Sequence, residues 1–186
     1  GDRVALMLPN LPQSVIAFFG ILKAGAVVVN TNPIYTPREL EHQLQDSGAE
    51  TIIMLSGFYD RVAQIRDKTS LKNLIIADIP DTLSWPFNTL AKKQLRARKL
   101  LQDLPTTLDV HYYKDLIRSE GTLARSPSAP DDVALFQYTG GTTGLAKAAM
   151  LTNQNLISNV YQINAWFAKA EQGHEKLLAA IPFFHV

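Results

Sequence analysis

Apolar residues fall along this chain in two alternating rhythms: short unbroken runs, and stretches in which they return every third or fourth place. Residues 4–8 form a run of strand length. Asn10 is then placed to cap a helix, with Gln13 three residues on, and Val15, Phe18, Phe19 and Leu22 give that helix an apolar side that ends near Gly25. Residues 27–29 read as the next strand, and a strand, helix and strand of this length make a βαβ unit with parallel pairing. In Thr36-Pro37-Arg38-Glu39 the pattern supplies a cap, a proline at the first helical place and a glutamate at the third; Leu40 and Leu44 face inward and Gly48 stops the helix. Residues 51–55 and 74–77 read as strands with a helix over 59–68 between them. The expected fold class is α/β, layered, built of largely parallel βαβ units.

The rhythm breaks at Asp78. Pro80, Trp85 and Pro86 mark an irregular connection, after which residues 89–104 read as a helix with Leu90, Ala97, Leu101 and Leu104 on one side, ended by Pro105. A short helix is expected over 112–117, before a polar linker at 126–130. Residues 133–136 then form a buried strand, 148–151 a short strand, and Thr152 or Asn153 caps a helix carrying Leu156, Val160, Ile163 and Phe167. Residues 177–180 read as a last strand. The chain thus divides into βαβ units over 1–78, an irregular segment over 79–130 that contains the basic helix, and a glycine-loop region over 131–186.

Composition is that of a globular protein, 46% hydrophobic and 19% charged in 186 residues, with a formal net charge of +1. With no cysteine, a disulfide framework and a thiol nucleophile are excluded, and a reducing cytoplasm suits the chain. The uncharged apolar stretch 15–22 stops at Lys23, short of the ~20 residues of a membrane-spanning helix. Basic charge gathers in 88–104, where Lys92, Lys93, Arg96, Arg98 and Lys99 face Asp103 alone; the basicity is local, so no nucleic-acid partner is expected. That helix has two readings, a solvated face packed on the domain or a cationic and apolar surface lying on anionic lipid.

The candidate chemistry lies in residues 138–150, YTGGTTGLAKAAM. Glycines let the backbone turn with several N–H groups pointing inward, threonine hydroxyls add donors and a lysine adds charge, a set suited to polyphosphate. The P-loop spacing fails, because five residues after Gly140, Gly141 and Gly144 stand Leu145, Ala146 and Ala149; the dinucleotide fingerprint fails at Thr142 and Thr143. Since the loop joins two strands, its anion affinity must come from turn N–H groups rather than a helix dipole. His42, His111 and His174 lack metal-like spacing and are expected on the surface.

The stretch resembles the signature [YF]T[SG]GTTGxxKG of the adenylate-forming, or AMP-binding, superfamily. Gly140 and Ala146 resemble its bacterial long-chain fatty-acid:CoA ligases, as do VVVNTNPIYTPRELEHQLQDSGA from Val27 and PDDVALFQYTGGTTG, while Ile181-Pro182-Phe183-Phe184-His185 is similar to the superfamily's next core motif. The resemblance implies a ligase that joins a long-chain fatty acid to ATP, giving acyl-AMP and pyrophosphate, and then passes the acyl group to coenzyme A. A sister enzyme for another carboxylic acid, or a nucleotide-binding fragment without catalysis, are the alternatives. By resemblance the ATP-binding residues are Tyr138, Thr139, Gly140, Gly141, Thr142, Thr143, Gly144, Leu145, Ala146, Lys147, Ala148 and Ala149. Thr139 is the candidate Mg2+ contact, Lys147 supplies charge to the β and γ phosphates, and His185 orients the acyl carboxylate where it could otherwise be a structural strand-end histidine. The resemblance also implies an enzyme of the cytoplasm that meets the inner membrane face through residues 89–104. The family's acidic Mg2+ and ribose ligands and catalytic lysine would follow Val186, so the chain is expected to be one incomplete N-terminal domain, inactive alone, with its C-terminal domain absent. Two places depart from the pattern: Ala148 stands where glycine follows the lysine, and Asn153 where the long-chain group has histidine. If the first place required a positive φ, the methyl would cost about 1 kcal/mol or more.

Overall fold

Among the described residues seven strands form one sheet, in the spatial order 110–112, 73–76, 51–54, 3–7, 27–30, 133–139 and 147–152. The computed structural model describes residues 1–98, 100–104, 107, 109–118, 128–140, 146–167, 169–171 and 173–185. The central strands are β1 (Arg3–Met7), β2 (Val27–Asn30), β3 (Thr51–Met54) and β4 (Asn73–Ile76), and all their pairings are parallel, as the βαβ pattern demands. They are buried on both faces, which is why the sequence shows continuous apolar runs there rather than alternation. β6 (Val133–Thr139) pairs parallel with β2, and β7 (Lys147–Thr152) returns antiparallel to β6.

Helix α1 (Pro12–Lys23) covers one face and α2 (Pro37–Ser47) the other. Ala17 and Ile21 pack with Leu6, Val28, Ile53 and Leu135, while Leu40 and Leu44 pack with Met7, Val29, Ile52 and Met54. Each fully buried leucine contributes roughly 1.5–3 kcal/mol over an exposed one. α2 is fixed at both ends. The Thr36 hydroxyl accepts the Glu39 N–H while the Glu39 carboxylate accepts the Thr36 N–H at 2.8 Å, closing the expected capping box. At the other end Gly48 has φ 61°, and a Cβ there would lie 3.1 Å from the Arg3 guanidinium. That guanidinium donates to the carbonyls of Ser47 and Gly48, at 3.1 and 3.0 Å, filling acceptors that the helix end leaves open.

Several expectations are corrected. The cap of α1 is Leu11, with no side-chain bond, because Pro12 at the first helical place sets the start one residue later than Asn10. The 59–68 helix is broken into α3 (Tyr59–Ala63) between two 3-10 turns, Ser56–Phe58 and Arg66–Lys68. The basic helix is α4 (Phe87–Ala97), so Leu101 and Leu104 fall outside it. The chain leaves the helix there because it docks on the preceding turn: the Gln102 N–H donates to Ser56 Oγ at 3.0 Å, and a Cβ on Gly57 would lie 2.8 Å from the Leu100 carbonyl oxygen. Pro105, the expected breaker, lies outside the described residues. The irregular segment supplies an edge strand the sequence did not show, β5 (Val110–Tyr112), parallel to β4 and followed by the short α5 (Tyr113–Leu116). Residues 177–180 are no strand; Leu177 and Leu178 are 89% and 92% exposed. The 14-residue α6 (Asn153–Trp166) is capped by Thr152, whose hydroxyl accepts the Asn155 N–H at 3.2 Å.

Candidate functional site

The carboxyl ends of β2 and β6 lie side by side, Asn30 opposite Gln137, between helices that cover opposite faces. Open parallel sheets offer their ligand crevices at such ends. β6 continues past the expected Phe136 through Thr139, and β7 begins at Lys147, so the loop 140–146 joins two antiparallel strands as the sequence implied. Gly141, Thr142, Thr143, Gly144 and Leu145 lie outside the described residues. Their flanks are placed. Thr139 pairs with Lys147 and both are exposed. Directly opposed residues share a face of the sheet, so a hydroxyl and a cation stand together on one side of the stems. A Cβ on Gly140 would meet nothing within 4 Å.

The stem residues alternate as strands do. Tyr138 and its partner Ala148 turn toward α2, where Tyr138 is buried and donates its hydroxyl to Asp46 Oδ2 at 2.6 Å. Burial first, and then the Asp46 carboxylate, push the Tyr138 phenol far above its ordinary value. It therefore stays protonated and acts as a donor. Ala146 and Ala148 pack partly buried against the same cluster, and Ala149, opposite Gln137, is exposed. Ala148 is an ordinary strand residue, so its methyl carries no left-handed strain. Asn153 opens α6 and donates its amide to the Ala129 carbonyl at 3.0 Å, tying the linker to the helix. His42 was expected on the surface; it is half-buried, with Nε2 3.2 Å from the Ala146 carbonyl oxygen. His111 and His174 are exposed.

On the α1 side, side-chain amides hold the 179–184 segment that leads to His185. Asn30 Nδ2 donates to Gln137 Oε1 at 2.8 Å, and Gln137 Nε2 donates to the Phe184 carbonyl at 3.0 Å. Asn10 donates to the carbonyls of Ala179 and Ile181, at 3.0 and 2.8 Å, and accepts the Phe183 N–H at 2.7 Å. His185 is exposed, and its N–H closes a turn on the Pro182 carbonyl at 3.0 Å. Beneath Phe183 and Phe184 lies an apolar recess of about 210 Å³ against Leu6, Leu8 and Phe18. The sequence reading gave no site role to Asn10, Asn30, Gln137, His42 or Asp46. For Asn30 and Gln137 the signal is polarity at places the strand pattern makes buried or strand-terminal, and they are 8% and 3% exposed.

Thr139 and Lys147 suit the phosphate oxygens of a nucleotide. Among the described residues no group of three or more His, Asp or Glu stands together as a metal site. A neutral hydroxyl fits Mg2+ as one ligand among phosphate oxygens, which is how that cation is usually held. Among the described residues no helix is long and apolar enough to cross a membrane.

The chain is 42% identical over 189 residues to the long-chain-fatty-acid–CoA ligase of Escherichia coli O157:H7, covering 100% of this chain and 34% of that protein. A crystal structure of a long-chain-fatty-acid-CoA ligase from Archaeoglobus fulgidus superposes with a TM-score of 0.66 at 26% identity, over 100% of this chain and 31% of that one. The ATP-bound MatB of Rhodopseudomonas palustris superposes with a TM-score of 0.66 at 24% identity, over 100% of this chain and 31% of that one. The chain thus spans about a third of the length of these relatives. The family described as AMP-binding enzyme matches residues 1–186, from the first strand through the loop and the His185 segment, and the chain belongs to that family.

Proposed function

We propose that this chain is the nucleotide-binding part of a long-chain fatty-acid:CoA ligase. The observation that carries the reading is the pair of strand ends that flank residues 141–145: Thr139, at the carboxyl end of β6, stands opposite Lys147, and Gln137 on the same strand holds the segment that ends in His185. A fatty carboxylate attacks the α-phosphate of ATP, and pyrophosphate leaves. Its departure is eased when the charge growing on it meets fixed donors and a cation. The backbone of residues 140–144, the hydroxyls of Thr142 and Thr143, and Lys147 fill that role. Thr139 would be a protein ligand for Mg2+, which would supply further charge neutralisation at the phosphates. His185 orients the carboxylate, its backbone set by Asn10 through Phe183 and by Gln137 through Phe184. The acyl-AMP so formed is the substrate for the thiol of coenzyme A.

A second surface supports membrane contact. In α4 and the turn before it, Trp85 and Leu90 are 80% and 66% exposed, alongside Phe87, Lys93 and Arg96. Apolar and cationic side chains left together in solvent suit an interfacial helix on anionic lipid, and incoming fatty acid arrives from such a surface.

The test of the ligase reading is ATP–pyrophosphate exchange in the full-length protein with oleate. Lys147→Ala and Thr142→Ala should each lower the exchange rate by about ten- to a thousandfold, with each tenfold corresponding to about 1.4 kcal/mol. Unchanged exchange in both variants overturns the assignment.

A further inference from the structure

Helix α2 grips both stems of the loop. His42 and Asp46 are one turn apart and share a face of the helix. From that face Asp46 accepts the hydroxyl of Tyr138, just before the loop, and His42 Nε2–H donates to the carbonyl of Ala146, its last residue. Between them Gln43 donates to the Asn30 carbonyl at 2.8 Å, fixing the helix against the end of β2. The helix itself has little freedom, with its capping box, its Gly48–Arg3 closure and the fully buried Leu40 and Leu44. A loop that must aim backbone N–H groups at phosphate oxygens needs its two ends at a set spacing and pitch, because donors off by a fraction of an ångström lose much of their effect. Strand pairing alone sets that spacing up to the Thr139–Lys147 rung, which leaves Ala146 beyond the ladder and Tyr138, paired with Ala148, one rung inside it.

We propose that His42 and Asp46 are positioning residues for polyphosphate binding: through Ala146 and Tyr138 they hold the two stems of the loop in the geometry that receives the β and γ phosphates. This rests on the polyphosphate reading given above. Neither side chain touches the nucleotide. Each acts through the residue it holds, from the face of the stems opposite the one that carries Thr139 and Lys147.

The experiment is steady-state exchange kinetics on the full-length protein, varying ATP, pyrophosphate and fatty acid separately, with folding checked by thermal melt. His42→Ala should raise KM for ATP and for pyrophosphate by about tenfold while KM for the fatty acid stays within about twofold, the split that separates loss of phosphate positioning from general damage. His42→Gln, which keeps a donor for the Ala146 carbonyl, should recover most of the loss. Asp46→Ala and Tyr138→Phe should each raise KM for ATP, and the double variant should be no worse than the poorer single one, because both remove the same bond. If Lys147→Ala impairs use of ATP while His42→Ala and Asp46→Ala leave it unchanged, the positioning role alone is overturned. If all three KM values shift together in the His42 variants and glutamine gives no rescue, the role is structural and the inference fails. If Lys147→Ala is silent as well, the polyphosphate reading falls and takes the inference with it.

Discussion

Gln137 is a buried amide serving two partners at once, as acceptor for Asn30 and as donor to the backbone of Phe184. Removing it takes the donor from Phe184 and leaves Asn30 only its 3.4 Å contact with the Phe183 carbonyl, and an unpaired buried polar group costs more than its hydrogen bond was worth. Gln137→Leu should therefore destabilise the chain by about 1–3 kcal/mol in urea denaturation. Asn30→Leu combined with it should cost clearly less than the sum of the two single changes, since the pair then leaves one unmet partner fewer. Strict additivity would show that the two amides do not interact. Nothing in the local pattern announces this pair: Asn30 follows the strand read over 27–29 and Gln137 follows the one read over 133–136. Their partnership joins β2 to a strand that starts more than a hundred residues later in the chain, a relation that periodicity cannot carry. Thr139 and Lys147, by contrast, enter the candidate site through the glycine-loop motif, which fixes their order locally.

At the scale of the element, the signals that read correctly were those whose physics is complete within a few residues. The Thr36–Glu39 box and Gly48 are of this kind. Thr36→Ala should cost about 1 kcal/mol of stability, the usual value of a lost cap, measured by chemical denaturation. The Glu39 carboxylate is held below its ordinary value by the Thr36 hydroxyl and then by the Thr36 N–H. A carboxyl lowered on folding lends stability above its unfolded value and loses it as pH falls through the lowered one. The stability gap between the chain and Glu39→Gln should accordingly be open at neutral pH and close in acid; because Glu39 is exposed, the gap is small. Elements set by distant contacts read poorly. α4 stops at Ala97 because residues 100–102 dock on the 56–58 turn, and β5 is a three-residue edge strand with one buried side chain, too short to show a period. The exposed face of α4 carries its own prediction. Replacing Lys92, Lys93 and Arg96 with glutamine should weaken binding to phosphatidylserine vesicles by about 1 kcal/mol per residue, read by co-sedimentation and by Trp85 fluorescence. Equal co-sedimentation would leave α4 a solvated face.

For the molecule as a whole, the alternation of rhythms gave the α/β class and parallel pairing, since a strand buried on both faces and a crossover helix each leave a mark on the sequence. The order of the strands left no such mark. Residues 177–180 show the limit: an apolar run is strand-like only if the sheet has an edge to receive it, and this one is held instead by Asn10 through single carbonyls. The same order has a consequence in time. β2 is made well before one of its two neighbours, β6, which begins at Val133. At translation rates of about 5–20 residues per second, the open edge of β2 waits on the order of ten seconds for its partner. Through that interval Val28 and Val29, completely buried at the end, belong to an uncharged strand paired with β1 on one side and open on the other, the kind of edge on which nascent chains pair with one another. The ribosome-bound intermediate is thus the most aggregation-exposed form of this fold, and a holdase that shields the β2 edge until β6 emerges would raise the yield of active chain without altering the stability of the finished one.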